Sequence, residues 1–231
     1  MPTLSDNIKS KLDFNNNTKQ DVEEFYDHLS DEYDSKRFSS KYSKMTHKME
    51  LKFILKYISN NKVLEIGPGT GRFTIPVSEN CKNLVVIDFS AKMLEILKKK
   101  ISEKETVSFK KLDLYNLDKL EGYGTFDTVI CMRVLPHLKD LSRALDLISG
   151  SVKEGGNLIF DFWNSQSYVY LKRKVTFFKA AVYTRFIRYN EIIKLIDSKN
   201  LKINDSIGWG YPPLLNKIGW KLFRYRLHHI L

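Results

Sequence analysis

Three carboxylates and one histidine stand at the ends of apolar runs in this chain, where strands would deliver them to a common edge. Glu65 precedes three alternating glycines, Gly67, Gly69 and Gly71; Asp88 closes the run 84–87; Asp113 follows 107–112; and His137 lies beyond 126–132. Glycine lacks a Cβ, so the backbone at 67–71 can turn tightly and approach a bound molecule at contact distance. Glu65 would attract a ligand's ammonium group and repel a pyrophosphate. The spacing differs from the dinucleotide fingerprint G-x-G-x-x-G, because Gly71 comes one place early and Arg72 occupies the position where that fingerprint wants glycine. A turn of this kind still fits other nucleotides as well. Asp88, 17 residues beyond Gly71, can accept both hydroxyls of a ribose. Phe89 either lies against an adenine or ends the strand as a core residue. Asp113 can accept from an adenine amino group while the Leu114 N–H meets a ring nitrogen; alternatively it caps a short turn reaching Leu117. His137 titrates near neutrality and could take a proton from a hydroxyl or a carbon acid, or it is a cap or a loop-packing residue. Arg133 either holds an acidic group of a substrate or is exposed.

Placing these groups together requires parallel strands joined by helices. The runs up to Ile66 and at 84–90, 107–112, 126–132, 157–163 and 201–207 read as strands, and the segments from about Arg72 and at 91–100, 141–152 and 184–200 read as the helices between them, with Ser90 as an N-cap. Ahead of them, Val22, Phe25, Tyr26, Leu29 and Tyr33 recur at helical spacing, as do Met45, Met49, Leu51, Ile54, Leu55 and Ile58. The resulting division is a disordered lead at 1–19, a helical cap at 20–61, a ligand-binding core at 62–163, an insertion at 164–183, and a remainder at 184–231 ending in a basic tail. In that tail Lys217, Lys221, Arg224 and His228 fall on one helical stripe, while Phe223, Tyr225 and Leu227 also alternate as a strand would.

The stretch 63–74, with the acid before its glycines, resembles motif I of the class I S-adenosylmethionine-dependent methyltransferases. Residues 25–34 followed by Arg37 resemble the Tyr-Asp-rich opening of the ubiquinone/menaquinone-biosynthesis group of that family, methyltransferase type 11. The resemblance implies a Rossmann-like α/β fold with a seven-stranded, mainly parallel sheet, helices on both faces and an N-terminal helical cap. It implies S-adenosyl-L-methionine as the cofactor and no metal. In such a fold Glu65 faces the methionine end of the cofactor, and Tyr33 and Arg37 lie near its carboxylate; the other reading of that pair is packing for Tyr33 and a solvated charge for Arg37. Met132, at the end of the fourth strand, joins the cofactor-binding set, and the loop 133–140 brings His137 to the methyl-transfer site. No Asn-Pro-Pro-Tyr or Asp-Pro-Pro-Tyr follows the fourth strand, the motif with which family members hold the amino groups of adenine or glutamine, so those acceptors are disfavoured. The implied activity is methyl transfer to a small-molecule or lipid-linked acceptor. The alternatives are an RNA methyltransferase and a non-catalytic S-adenosylmethionine-binding partner protein.

Composition narrows the setting. The 231 residues carry 38 Lys+Arg against 27 Asp+Glu, a formal net charge of +11, which suits an anionic partner or surface. Basic and aromatic residues interleave at 165–179 and again at 214–231, so peripheral contact with an anionic membrane is expected, and RNA is a second, less favoured partner. Cys81 and Cys131 have no disulfide or metal-ligand spacing. With a polar, Asn-rich start that is no signal peptide and no run of spanning length, the expected location is cytoplasmic, peripheral at the membrane.

Overall fold

A computed structural model describes residues 19–29, 40–58, 61–101, 104–167, 170–171, 175, 183–208 and 229–230. Helices α1 (Lys19–Leu29) and α2 (Lys41–Leu55) precede a sheet formed by β1 (Lys62–Ile66), β2 (Asn83–Asp88), β3 (Val107–Lys111), β4 (Phe126–Cys131) and β5 (Val152–Phe160). Between the strands run α3 (Thr74–Ser78), α4 (Ala91–Lys100), a 3₁₀ helix Leu114–Lys119, a second one Leu135–His137, and α5 (Leu141–Ser151); α6 (Tyr189–Asp197) and β6 (His229–Ile230) follow. The strand order is β3-β2-β1-β4-β5-β6, with the first five parallel and β6 antiparallel to β5. Parallel strands are covered on both faces, which is why their sequences are nearly continuous Val, Ile and Leu.

Alternation along each strand feeds two cores. Val63, Val86, Ile130 and Ile159 pack with Ile54 of α2, Val77 of α3 and Leu94 and Leu97 of α4. Leu64, Ile66, Ile87, Val129, Cys131 and Leu158 pack with Leu145 and Ile148 of α5 and Ile192 and Ile196 of α6. Successive side chains point to opposite faces, so a one-residue register slip would exchange these two sets.

The sheet corrects the sequence reading in three places. Among the described residues there are five parallel strands and the two-residue β6, not seven strands. No strand forms at 201–207: Leu201 and Ile203 pack into the core, but Asp205 is held by Lys56 Nζ at 2.9 Å and Tyr57 Oη at 3.1 Å, which fixes the segment at the end of α2 instead. The helix expected at 184–200 begins only at Tyr189, because Arg185 and Ile187 donate their N–H groups to Pro136 O and Trp163 O. The stripe in α2 is also rotated from its expected position. Thr46, Glu50 and Ile54 are its buried residues, while Met45 is 52% exposed. Most of 165–179 and of the tail lies outside the described residues, as do Tyr33 and Arg37. Among the described residues no helix is long and apolar enough to cross a membrane, and no group of side chains could hold a metal ion.

Candidate active site

The strand order reverses between β1 and β4, and in open α/β sheets ligands bind at such a switch point, beyond the carboxyl ends of the strands. A cavity of about 370 Å³ lies there. Gly67, Gly69, Asp88, Phe89, Asp113, Leu114, Met132 and His137 all line it, so residues spread over seventy positions of sequence meet in one space. Because each follows its own strand, the cavity crosses the sheet edge from the β3 end, at Asp113, through Asp88 and Gly67 to the β4 end, at His137.

The glycine turn shapes its floor. Gly67 has φ +68° and Gly69 φ +56°, conformations that a side chain makes costly. A Cβ on Gly67 would also stand 2.4 Å from Val134 Cγ2. Gly71 is different: it does not line the cavity, and a Cβ there would meet Leu97 Cδ1 of α4 at 2.3 Å. With φ +94° as well, Gly71→Ala is expected to lower folding stability by about 1–3 kcal/mol, the cost of overpacking together with a left-handed backbone. Urea denaturation would check this, and an unchanged midpoint would contradict the close packing.

Asp88 is 6% exposed. Burial pushes its carboxyl up to about 6, against the N–H groups of Ser90, Gly69 and Phe89, which pull the other way; nearby Asp27 adds to the rise. The Ser90 N–H reaches Oδ1 at 2.9 Å, and the Ser90 hydroxyl caps α4 by accepting from Met93 N at 3.1 Å. Asp113 serves both roles weighed from sequence: it faces the cavity, and its Oδ1 accepts from Tyr115 N at 3.1 Å as the cap of the 3₁₀ helix. Phe89 faces the cavity and is not part of the buried core. Glu65 is 2% exposed and not among the lining residues. Burial raises its carboxyl to about 7; the Thr74 hydroxyl beside it offsets part of this without closing a hydrogen bond of normal geometry. Among the described residues its Oε2 has no hydrogen-bond partner.

His137 follows β4 on the second 3₁₀ helix. Its Nδ1 lies 2.9 Å from the carbonyl oxygen of Tyr183 and its Nε2 3.3 Å from the Tyr26 hydroxyl, with Trp163 edge-on at 6.0 Å. Sequence reasoning missed Tyr183, which the chain returns to the loop only through the Arg185 and Ile187 hydrogen bonds. It placed Tyr26 on a helical stripe without seeing which core residue that stripe would meet.

Arg133 is neither a lone substrate anchor nor merely exposed. Its Nη2 pairs with Glu50 Oε1, its Nε lies 2.9 Å from Asp161 Oδ2, and its backbone N–H donates to Asp161 Oδ1 at 2.6 Å. Glu50 Oε2 pairs with Arg72 Nη2, and Arg72 Nε donates to His47 Nδ1 at 2.6 Å. Arg133 itself has φ +64°, an unusual value for a residue with a side chain, and the two carboxylates that grip it hold this turn between β4 and His137.

A glycine cradle, a buried carboxylate at the end of β2 and an orphaned buried carboxylate oxygen ahead of the turn fit a nucleoside that carries its own ammonium group. Fold and site together define this chain as a class I S-adenosylmethionine-dependent methyltransferase, with S-adenosylmethionine as its cofactor. Residues 64–160 match the Methyltransf_11 family, described as a methyltransferase domain. The chain is 25% identical over 169 residues to the ubiquinone biosynthesis O-methyltransferase of Dechloromonas aromatica (strain RCB), covering 69% of this chain and 72% of that one. It is 26% identical over 178 residues to the protein of the same name from Coxiella burnetii (strain RSA 331 / Henzerling II), covering 72% and 75%. Among solved structures, the fold is similar to that of a SAM-dependent methyltransferase from Thermotoga maritima, with a TM-score of 0.60, 20% identity, and 89% of this chain and 91% of that one covered. It is also similar to magnesium protoporphyrin IX methyltransferase from Synechocystis PCC 6803 with bound SAH, at a TM-score of 0.60 and 17% identity over 93% and 88% of the two chains.

Proposed function

We propose that this methyltransferase acts on a hydroxyl group of a small-molecule or lipid-linked acceptor. The observation that carries this reading is His137, whose Nε2 faces the same cavity that holds Asp88 and the glycine turn. S-adenosylmethionine, when bound, supplies a methyl group on a positively charged sulfur. The residues that would hold it are Asp88 at the ribose, Asp113 and the Leu114 N–H at the adenine, Phe89 and Met132 along the cavity wall, and Gly67 and Gly69 where the backbone comes closest. Glu65 would offset its ammonium charge, and Tyr33 and Arg37 are proposed for its carboxylate on the family resemblance alone. His137 would accept the proton of the acceptor hydroxyl on Nε2 while keeping its Nδ1 proton on the Tyr183 carbonyl. Positioning contributes the rest, since alignment of reacting groups lowers the barrier without covalent help from the protein.

The relatives named as O-methyltransferases support an oxygen acceptor, and the aromatic side chains of Tyr26, Trp163 and Tyr183 around His137 support an acceptor with an apolar body. The net charge of +11 supports peripheral attachment to an anionic membrane, which would bring a lipid-linked acceptor to the cavity mouth; surface Lys and Arg contribute about 1 kcal/mol each toward such a surface. The test is incubation of the protein with methyl-labelled cofactor and a cell extract, followed by fractionation. Label in an ether of a small molecule or of a lipid is the expected result. Label confined to RNA or protein would overturn this reading, and tight cofactor binding with no transfer to any fraction would indicate a non-catalytic binding protein.

A further inference from the structure

Helix α1 meets the site through residues 22, 23, 26 and 27, which share one helical face. Val22 and Tyr26 line the cavity. Glu23 pairs with Lys111 at the end of β3 at 2.8 Å, and Asp27 accepts from the hydroxyl of Ser90 at the start of α4. Tyr26 sits between the two ends of the cavity. Its ring is edge-on to Phe89, with centroids 6.3 Å apart, and to His137, 6.1 Å apart, while its hydroxyl lies 3.3 Å from His137 Nε2.

The proton positions follow from the partners. A carbonyl oxygen can only accept, so the 2.9 Å contact with Tyr183 O places a proton on Nδ1. A neutral imidazole carries one N–H, so Nε2 is then a bare acceptor and the Tyr26 hydroxyl is the donor to it. We propose that Tyr26 is a positioning residue for methyl transfer: α1 brings in its hydroxyl, which holds the Nε2 lone pair of His137 toward the cavity, so the base is assembled only when α1 is docked. This rests on the reading of His137 as the base. An acceptor hydroxyl that takes over the bond to Nε2 transfers its proton there: the O–H bond breaks, the N–H bond forms, and the electron pair stays on the acceptor oxygen as the attacking group. The resulting imidazolium keeps its Nδ1–H on the Tyr183 carbonyl, so no rotation of the ring is required.

The test uses the full chain labelled with ¹⁵N in its histidines, observed by two-bond ¹H–¹⁵N correlation at mildly alkaline pH, with His137 assigned by its loss in His137→Gln. His137 is expected to show a protonated Nδ1 and a bare Nε2. In Tyr26→Phe the tautomer should persist, because Tyr183 sets it, while the Nε2 resonance moves toward that of a nitrogen without a hydrogen bond. In the same variant the methylation rate constant should fall about tenfold, the equivalent of one hydrogen bond, with cofactor affinity unchanged. A neutral His137 protonated on Nε2 in the wild-type chain would overturn the proposal without recourse to any variant. So would an Nε2 resonance identical in the wild type and Tyr26→Phe. A pair that behaves as expected in a chain that methylates no hydroxyl would overturn its role in transfer, and with it the base reading, while leaving cofactor binding as a separate calorimetric result.

Discussion

Replacing Glu50 by alanine is expected to lower folding stability by about 3–5 kcal/mol, because it leaves buried charge without its partner. The Glu50 side chain is 0% exposed and pairs with both Arg72 and Arg133, whose side chains are 13% and 30% exposed. Burial raises the Glu50 carboxyl from its ordinary value, and the two guanidiniums, Arg133 first, work against that rise. Most of the expected loss is the desolvation of two cations with nothing opposite them, and the Coulomb attraction of the intact pairs is the smaller part. Glu50→Gln should reproduce much of it, since a neutral amide keeps the shape but not the charge. Urea unfolding is the measurement: the midpoint should fall with little change in the denaturant slope. A midpoint equal to that of the wild type would show that the two arginines find other partners. The loss should also reach the site, because Arg133 leads directly into the loop that carries Val134 and His137.

The second large effect concerns Asp88. Asp88→Ala is expected to weaken S-adenosylmethionine binding by about 1.5–3 kcal/mol, the range for a lost hydrogen bond to a charged group, or roughly ten- to more than a hundredfold in affinity. The raised value adds a pH dependence whose sign is determinate. With its carboxyl at about 6 in the folded chain against an ordinary 3.8, Asp88 is protonated on the acid side of that value and loses much of its capacity to accept from hydroxyls. Affinity should therefore rise as pH is raised through about 6, and binding should release protons. For stability the sign is opposite: between the two values the folded chain holds the proton more tightly than the unfolded one, so this group's contribution to stability weakens as pH rises through that window. Calorimetry across the window, on the wild type and on Asp88→Asn, checks both statements. Equal affinity in the wild type and Asp88→Ala would remove Asp88 from the site, and a flat affinity profile would remove its titration.

Local pattern made the cofactor half of this protein legible. The Gly67-Pro68-Gly69-Thr70-Gly71 turn, the acids closing β2 and following β3, and the apolar runs of β1 to β5 are properties of contiguous residues, and parallel strands bring their ends to one edge whatever the details of the helices. Gly71 was the exception within that half, because a glycine needed for contact with a ligand and one needed for contact with Leu97 look the same in sequence. The acceptor half depends on contacts between distant segments. Tyr26 and His137 are 111 positions apart, Tyr183 and His137 46, and Glu50 and Arg133 83. Each pair meets because a cap helix or a returning segment is laid across the sheet edge, and periodicity specifies which face of a helix is buried but not what lies opposite it. The same limit explains α2, where apolar spacing pointed to Met45, while a charged residue, Glu50, occupies the buried face because two arginines await it there. Residue type and spacing thus determined the fold class and the nucleoside-binding edge. Only the tertiary structure decided which tyrosine faces the histidine, on which nitrogen that histidine holds its proton, and which carboxylate secures the turn before it, because those outcomes depend on hydrogen-bond partners that sequence distance does not encode.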